Sequence, residues 1–169
     1  MHTLFDGSNE IQDTTTVTLQ SMQTIGNPRS QICFYLPKPP LFPTYTELNS
    51  TQNSNTWQQA LIDLNGNHWR KILVLIAKIS APNLQWRNYR TQLFTVQREQ
   101  VQFGATQLNP HAKWHIVCGI QAAKMLGVSS AHQPKQIVVK EQVILTPYLD
   151  YRQLPNVLVE QIRQIIHLK

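Results

Sequence analysis

The pattern of apolar and polar positions is clearest in the last third of the chain. Trp114-His115-Ile116-Val117-Cys118 is a short, mostly apolar run ending at Gly119, which predicts a buried strand. Ile120–Leu126 continues with small and apolar residues until Gly127, predicting a short helix with a glycine stop. A second run, Val143-Ile144-Leu145-Thr146-Pro147, leads through a turn into Asn156–Leu168. There Leu158, Ile162, Ile165 and Ile166 form one helical stripe behind Asn156 as N-cap. Lys113–Lys169 therefore reads as strand, helix, strand, helix. Upstream, Val101 and Phe103 alternate with polar residues and predict a strand near 100–104. Gln136–Leu145 is expected to fold back on itself at Lys140-Glu141-Gln142. Ile72-Leu73-Val74-Leu75-Ile76 is apolar on both alternating faces, the pattern of a central parallel strand covered on two sides. Trp57, Leu61 and Leu64 share the face of a short helix capped by Thr56 and ended by Gly66. Asn83 is placed to cap a helix carrying Trp86, Tyr89 and Leu93.

Strands alternating with helices imply an α/β three-layer sandwich with a mainly parallel sheet, here one domain over residues 46–169. Residues 1–45 read as a flexible N-terminal arm. Its first 31 residues are rich in Thr, Gln, Asn and Ser and bury too little to offset ordering entropy. One apolar run interrupts it, Ile32-Cys33-Phe34-Tyr35-Leu36, followed by Pro37, Pro39, Pro40 and Pro43. Prolines cannot continue a central strand. The run is expected to be either an edge strand or an exposed peptide that docks on a partner; in the second case Ile32, Phe34, Tyr35 and Leu36 are the partner-binding residues. Residues 46–55 read as a polar linker.

Composition narrows the class. No stretch of 18 apolar residues exists to span a membrane, and no basic start precedes a long apolar block, so a cytoplasmic location with reduced Cys33 and Cys118 is expected. The net charge of +6 is uneven: the first 65 residues hold two bases against five acids, the remainder thirteen bases against four. A basic folded part suits a polyanionic or acidic partner.

Candidate chemistry is sparse. His111, His115 and Cys118 are the nearest approach to a metal site. His115 and Cys118 are an odd number of residues apart on a strand and so face opposite ways, and no further ligand stands near; no metal and no cofactor is expected. Cys118 stands at the carboxyl end of a buried strand, where α/β proteins hold ligands, and is the one candidate nucleophile. Neither a phosphate-loop pattern nor a nucleophile elbow occurs. Trp86, Arg87, Tyr89 and Arg90 combine stacking surface with charge, as a weak single-stranded nucleic-acid site does, with Trp86, Arg87 and Arg90 as its residues. The same spacing suits a helix with aromatics inward and arginines in water.

The run Asn109-Pro110 … Val117-Cys118-Gly119-Ile120-Gln121-Ala122-Ala123-Lys124-Met125-Leu126-Gly127 resembles the uracil-DNA glycosylase superfamily, whose members often carry Pro, a buried strand, then G-x-x-A-A-x-x-L-G. Val143–Leu149, with Leu154-Pro155-Asn156 and the closing helix, resembles the segment around that superfamily's His-Pro-Ser motif. The likeness covers roughly residues 70–166 and implies a glycosylase-like fold. The catalytic positions depart from it. Ala77-Lys78-Ile79-Ser80-Ala81-Pro82 stands where a water-activating motif is expected, and Pro147 or Tyr148 where the histidine is expected. The non-catalytic psi-subunit family of the bacterial DNA polymerase III holoenzyme has a similar outline. That resemblance implies an adaptor of DNA replication with no catalytic residue, its protein partners the clamp loader and the chi subunit, and an indirect or weak contact with single-stranded DNA through single-stranded-DNA-binding protein. The alternatives are a divergent DNA-acting member of the glycosylase superfamily, or a small α/β enzyme with Cys118 at its site.

Overall fold

The computed structural model describes residues 24–43, 54–128 and 135–167. Residues 1–23 of the expected arm, most of the expected linker and the side chain of Thr56 lie outside them. Six strands form one mixed sheet: β1 (Thr24–Gly26), β2 (Ile32–Leu36), β3 (Glu99–Phe103), β4 (Trp114–Cys118), β5 (Val138–Lys140) and β6 (Val143–Thr146), in the order β1-β3-β2-β4-β6-β5. β3, β2, β4 and β6 run parallel. β1 and β5 close the two edges antiparallel. The β5–β6 hairpin turns at Glu141, as expected, with φ of 58°. The helices are α1 (Ser54–Asn65), α2 (Asn67–Ser80), α3 (Trp86–Arg90), α4 (Ile120–Leu126) and α5 (Asn156–His167).

Two element assignments need correction. Ile72–Ile76 is not a strand but the middle of α2. Ile72, Leu73, Leu75, Ile76 and Ile79 are all essentially inaccessible there, because α2 packs against α1, α3 and α5 as well as in the core cluster that lines the sheet. A helix enclosed on that many sides keeps only a narrow polar stripe, here Asn67, His68, Arg70, Lys71 and Lys78, with none of it inside Ile72–Ile76. Gly66 separates α1 from α2; its φ of 100° breaks the helix at little steric cost. The second correction is Ile32–Leu36. It is neither an edge strand nor a docking peptide but β2, paired on both sides, with all five residues buried. Ile32, Phe34, Tyr35 and Leu36 are thus core residues, and the folded part begins no later than β1. The prolines do not contradict this, because they follow the strand and end it at Pro37.

Side chains alternate across β2. Ile32, Phe34 and Leu36 join Val101, Phe103, Trp114, Ile116, Cys118 and Ile144 in the larger core cluster, with α1, α2, α3 and α5. Cys33 and Tyr35 point to a smaller cluster with Val117, Leu145 and the α4 residues Ala122 and Ala123. Asn156 does not cap α5: the carbonyl of Pro155 receives the N–H groups of Leu158 and Val159, while the Asn156 side chain accepts a bond from Lys78.

The last turn of α2 is fastened by cationic side chains. Arg163 donates to the carbonyls of Lys78 (2.6 Å), Ala81 (2.8 Å) and Asn83 (3.1 Å). Arg98 Nε donates to the carbonyl of Ser80 at 2.6 Å. Helix ends leave such carbonyls without intrahelical partners and carry partial negative charge, so both needs are met together.

Candidate functional site

The chain leaves β2 toward β3 on one side and leaves β4 toward β6 on the other. Open α/β sheets hold ligands at such a point, outside the carboxyl ends of the strands. A crevice of about 340 Å³ lies there, lined by Pro37 and Lys38 after β2, Cys118 at the end of β4 with Gly119 and Gln121 after it, and Tyr148 and Gln153 after β6. Gly119 has φ of 90°, and a Cβ on it would stand 3.3 Å from Tyr148 Cδ1. Tyr148 therefore packs directly over the turn that opens α4.

Cys118 borders this crevice, but its side chain is fully buried. Its thiol lies 3.5 Å from the carbonyl of Ile116, and burial pushes its pKa up to about 12. A thiol held protonated is a poor nucleophile. His115 lies across the sheet from it, as their odd spacing requires. Its Nδ1 shares a 2.7 Å hydrogen bond with Tyr35 Oη, which also accepts the Asn109 N–H at 2.9 Å. Burial lowers the His115 pKa, favouring the neutral ring. His111 is exposed in the preceding loop. Among the described residues no three His, Cys, Asp or Glu side chains gather as metal ligands.

The glycosylase-like positions also move. Ala77–Ser80 closes a helix, so the turn after the first parallel strand is Pro37-Lys38-Pro39-Pro40. Tyr148 occupies the corresponding turn after β6.

A second surface lies on the outer side of α2. Tyr89 turns inward, where its hydroxyl donates to the Glu99 carboxylate. Trp86 is half-buried and Arg87 exposed. Lys78 Nζ sits 5.1 Å from the Trp86 ring centre and 5.8 Å from that of Tyr151, and Arg87 Cζ lies 4.5 Å from the Trp86 ring. Lys71 Nζ is 5.7 Å from the Tyr151 ring and 3.7 Å from the Asp150 carboxylate. Burial, then the charge of Arg87, lowers the Lys78 pKa; burial, then Arg70, lowers that of Arg90. Of the three nucleic-acid candidates, Trp86 and Arg87 stack together, while Arg90 lies half-buried toward Arg70 and Tyr151. Sequence reasoning missed Lys71, Lys78 and Tyr151. The two lysines were hidden by the strand assignment, although their spacing of seven is two helical turns. Tyr151 is more than sixty residues from Trp86 and carried no local signal.

The chain is an open α/β domain with a mixed sheet and a crevice at its switch point. The chain belongs to a family of unknown function, DUF6942, whose model matches residues 23–167. Comparison with curated proteins and with solved structures finds no match.

Proposed function

We propose that the protein is a non-catalytic adaptor built on a uracil-DNA-glycosylase-like three-layer sandwich, and that it serves the DNA replication machinery in the manner of a psi subunit. The observation that carries this reading is the strand-end crevice. Where a glycosylase needs groups to activate water and steady a leaving base, the lining offers Lys38, the amides of Gln121 and Gln153, and a tyrosine packed on Gly119. These groups suit holding a partner. The nearest thiol is sealed in the core and protonated, which disfavours an enzyme working through Cys118. The succession β4, Gly119, α4, Gly127, then β6, Pro147 and α5 is compatible with the resemblance, whereas Ala77–Ser80 departs from it by ending a helix. A clamp-loader or chi-like partner would then bind an exposed surface, since β2 is interior.

Two experiments test the reading. Uracil-containing single- and double-stranded DNA incubated with the full-length protein should keep every base. The tagged protein purified from its own cells should carry replication subunits with it. Protein-dependent abasic sites that disappear on mutating Tyr148 and Gln121 would refute the adaptor. So would purification with no replication subunit.

A further inference from the structure

We infer that the α2–α3 surface around Trp86, Arg87, Lys78, Lys71 and Tyr151 binds single-stranded nucleic acid, the rings receiving bases and the cations receiving phosphates. The inference goes beyond the adaptor reading, which needs only protein partners. Three observations support it.

First, the surface alternates stacking and charge as single-strand platforms do. Lys78 lies between two rings whose centres, from its distances to each, are within about 11 Å of one another. That is at most about three nucleotide steps at the helical rise of one strand. Tyr151 is 43% exposed and its ring is approached by Lys71 and Lys78 at 5.7 and 5.8 Å, so a base stacking there takes the place of a lysine that can turn to a phosphate.

Second, the surface is grooved. A cavity of about 180 Å³ runs beside Trp86, Leu84 and Arg163, and one of about 290 Å³ beside Tyr151 and Leu154; Lys78 and Asn156 line both. Leu84 adds an apolar flank that is 79% exposed.

Third, the positive charge is under-compensated. Asp150 pairs with Lys71, and Glu160 lies on the rim of the smaller cavity. Among the described residues, Lys78, Arg87, Arg70 and Arg90 have no carboxylate within ion-pair distance. Crowded cations that rest on rings gain from a ligand offering both a base for the ring and a phosphate for the charge.

A fluorescence-anisotropy titration of the full-length protein decides the matter. The probes are a labelled oligothymidylate of roughly 20 nucleotides, the matching oligouridylate, a duplex of equal length, and heparin as a polyanion without bases. One of the two single strands should bind more tightly than the duplex, and the better of them distinguishes DNA from RNA. With about four phosphate contacts, affinity should fall with salt at a log–log slope of about −3. Tyr151→Ala should weaken the single strand roughly tenfold, the scale of one lost base stack, and leave heparin unchanged; Tyr151→Phe should retain binding. Arg87→Glu should weaken all the probes. Both sites are exposed, and unchanged thermal melts would exclude misfolding. Duplex binding equal to the single strand, indifference to Tyr151→Ala, or no binding at low salt would overturn the inference. Equal loss on heparin and on the single strand in Tyr151→Ala would also overturn it, pointing to a purely electrostatic surface for an acidic protein.

Discussion

Phe34→Ala tests whether β2 is the keystone of the sheet. Phe34 is fully inaccessible, opposite Val101 on one side and Ile116 on the other. It lies in the larger core cluster between the sheet and α2. Removing a fully buried phenyl ring loses its transfer free energy and leaves a cavity in a region hemmed by two parallel neighbours, at a cost of about 3–5 kcal/mol. A domain of this size has a total stability on the order of 5–15 kcal/mol, so the variant should fold but with much of its margin gone. With about 2–4 °C per kcal/mol at this chain length, the melting temperature should drop by roughly 6–20 °C. With an m-value near the upper end of about 1–3 kcal/mol/M, the urea midpoint should fall by about 1–2 M. Circular dichroism during urea titration measures both midpoint and slope. Leu41→Ala, at a side chain 67% exposed, is the control and should stay within about 0.5 kcal/mol. A loss below about 1 kcal/mol in Phe34→Ala, with the slope unchanged, would refute the interior placement and restore Ile32–Leu36 as a peripheral segment.

Three other outcomes are expected. Tyr35→Phe strands the buried Asn109 N–H and His115 Nδ1 and should cost about 1–3 kcal/mol in the same titration; a neutral result would mean water already serves those groups. Gly119→Ala should destabilise the protein, because φ of 90° strains any side chain, and Tyr148→Ala should relieve the contact but not the backbone term, so full rescue would contradict that account. His167 should make stability fall in acid. Arg98 can only donate, so His167 Nδ1 accepts at 3.0 Å and Nε2 donates to Ile79 at 3.0 Å, which requires the neutral ring. Burial lowers its pKa; the unfolded chain therefore takes the proton first, and stability present above about pH 6.5 is lost as pH falls below it. His115, also lowered by burial, adds the same sign. His167→Gln should flatten the pH profile measured by thermal melts, and an unchanged profile would assign it to His115.

Much of the architecture was legible because the responsible signals are local. β4, α4 and Gly127, the β5–β6 hairpin and the stripe of α5 each show their period within a dozen residues. Burial that is not local hid the rest. Ile72–Ile76 reads as a strand when taken alone; only Trp69, Ile72, Leu73, Ile76 and Ile79, with cations at 70, 71 and 78, show the longer helical spacing. β2 is central because two partners arrive from residues 99–103 and 114–118, a fact no window around it contains. The crevice was anticipated through the strand-end position of Cys118, whereas its lining by Lys38 and Tyr148 needed the strand order. The Trp86 helix was legible as an amphipathic segment, but Tyr151 joined it only through tertiary packing.

The position of β2 also bears on synthesis. The strand at the centre of the sheet is made before both of its parallel neighbours, the second of which ends roughly eighty residues later. At about 5–20 residues per second, Ile32–Leu36 waits on the order of 4–16 s before both sides can be paired. Until β3 is made both strand edges of these five apolar residues are open, and one stays open until β4 follows. The prolines directly after them limit how far a stray β pairing can extend. Final closure joins segments distant in sequence, so it is slow relative to helix formation, and the finished centre then becomes the part of the molecule least able to open.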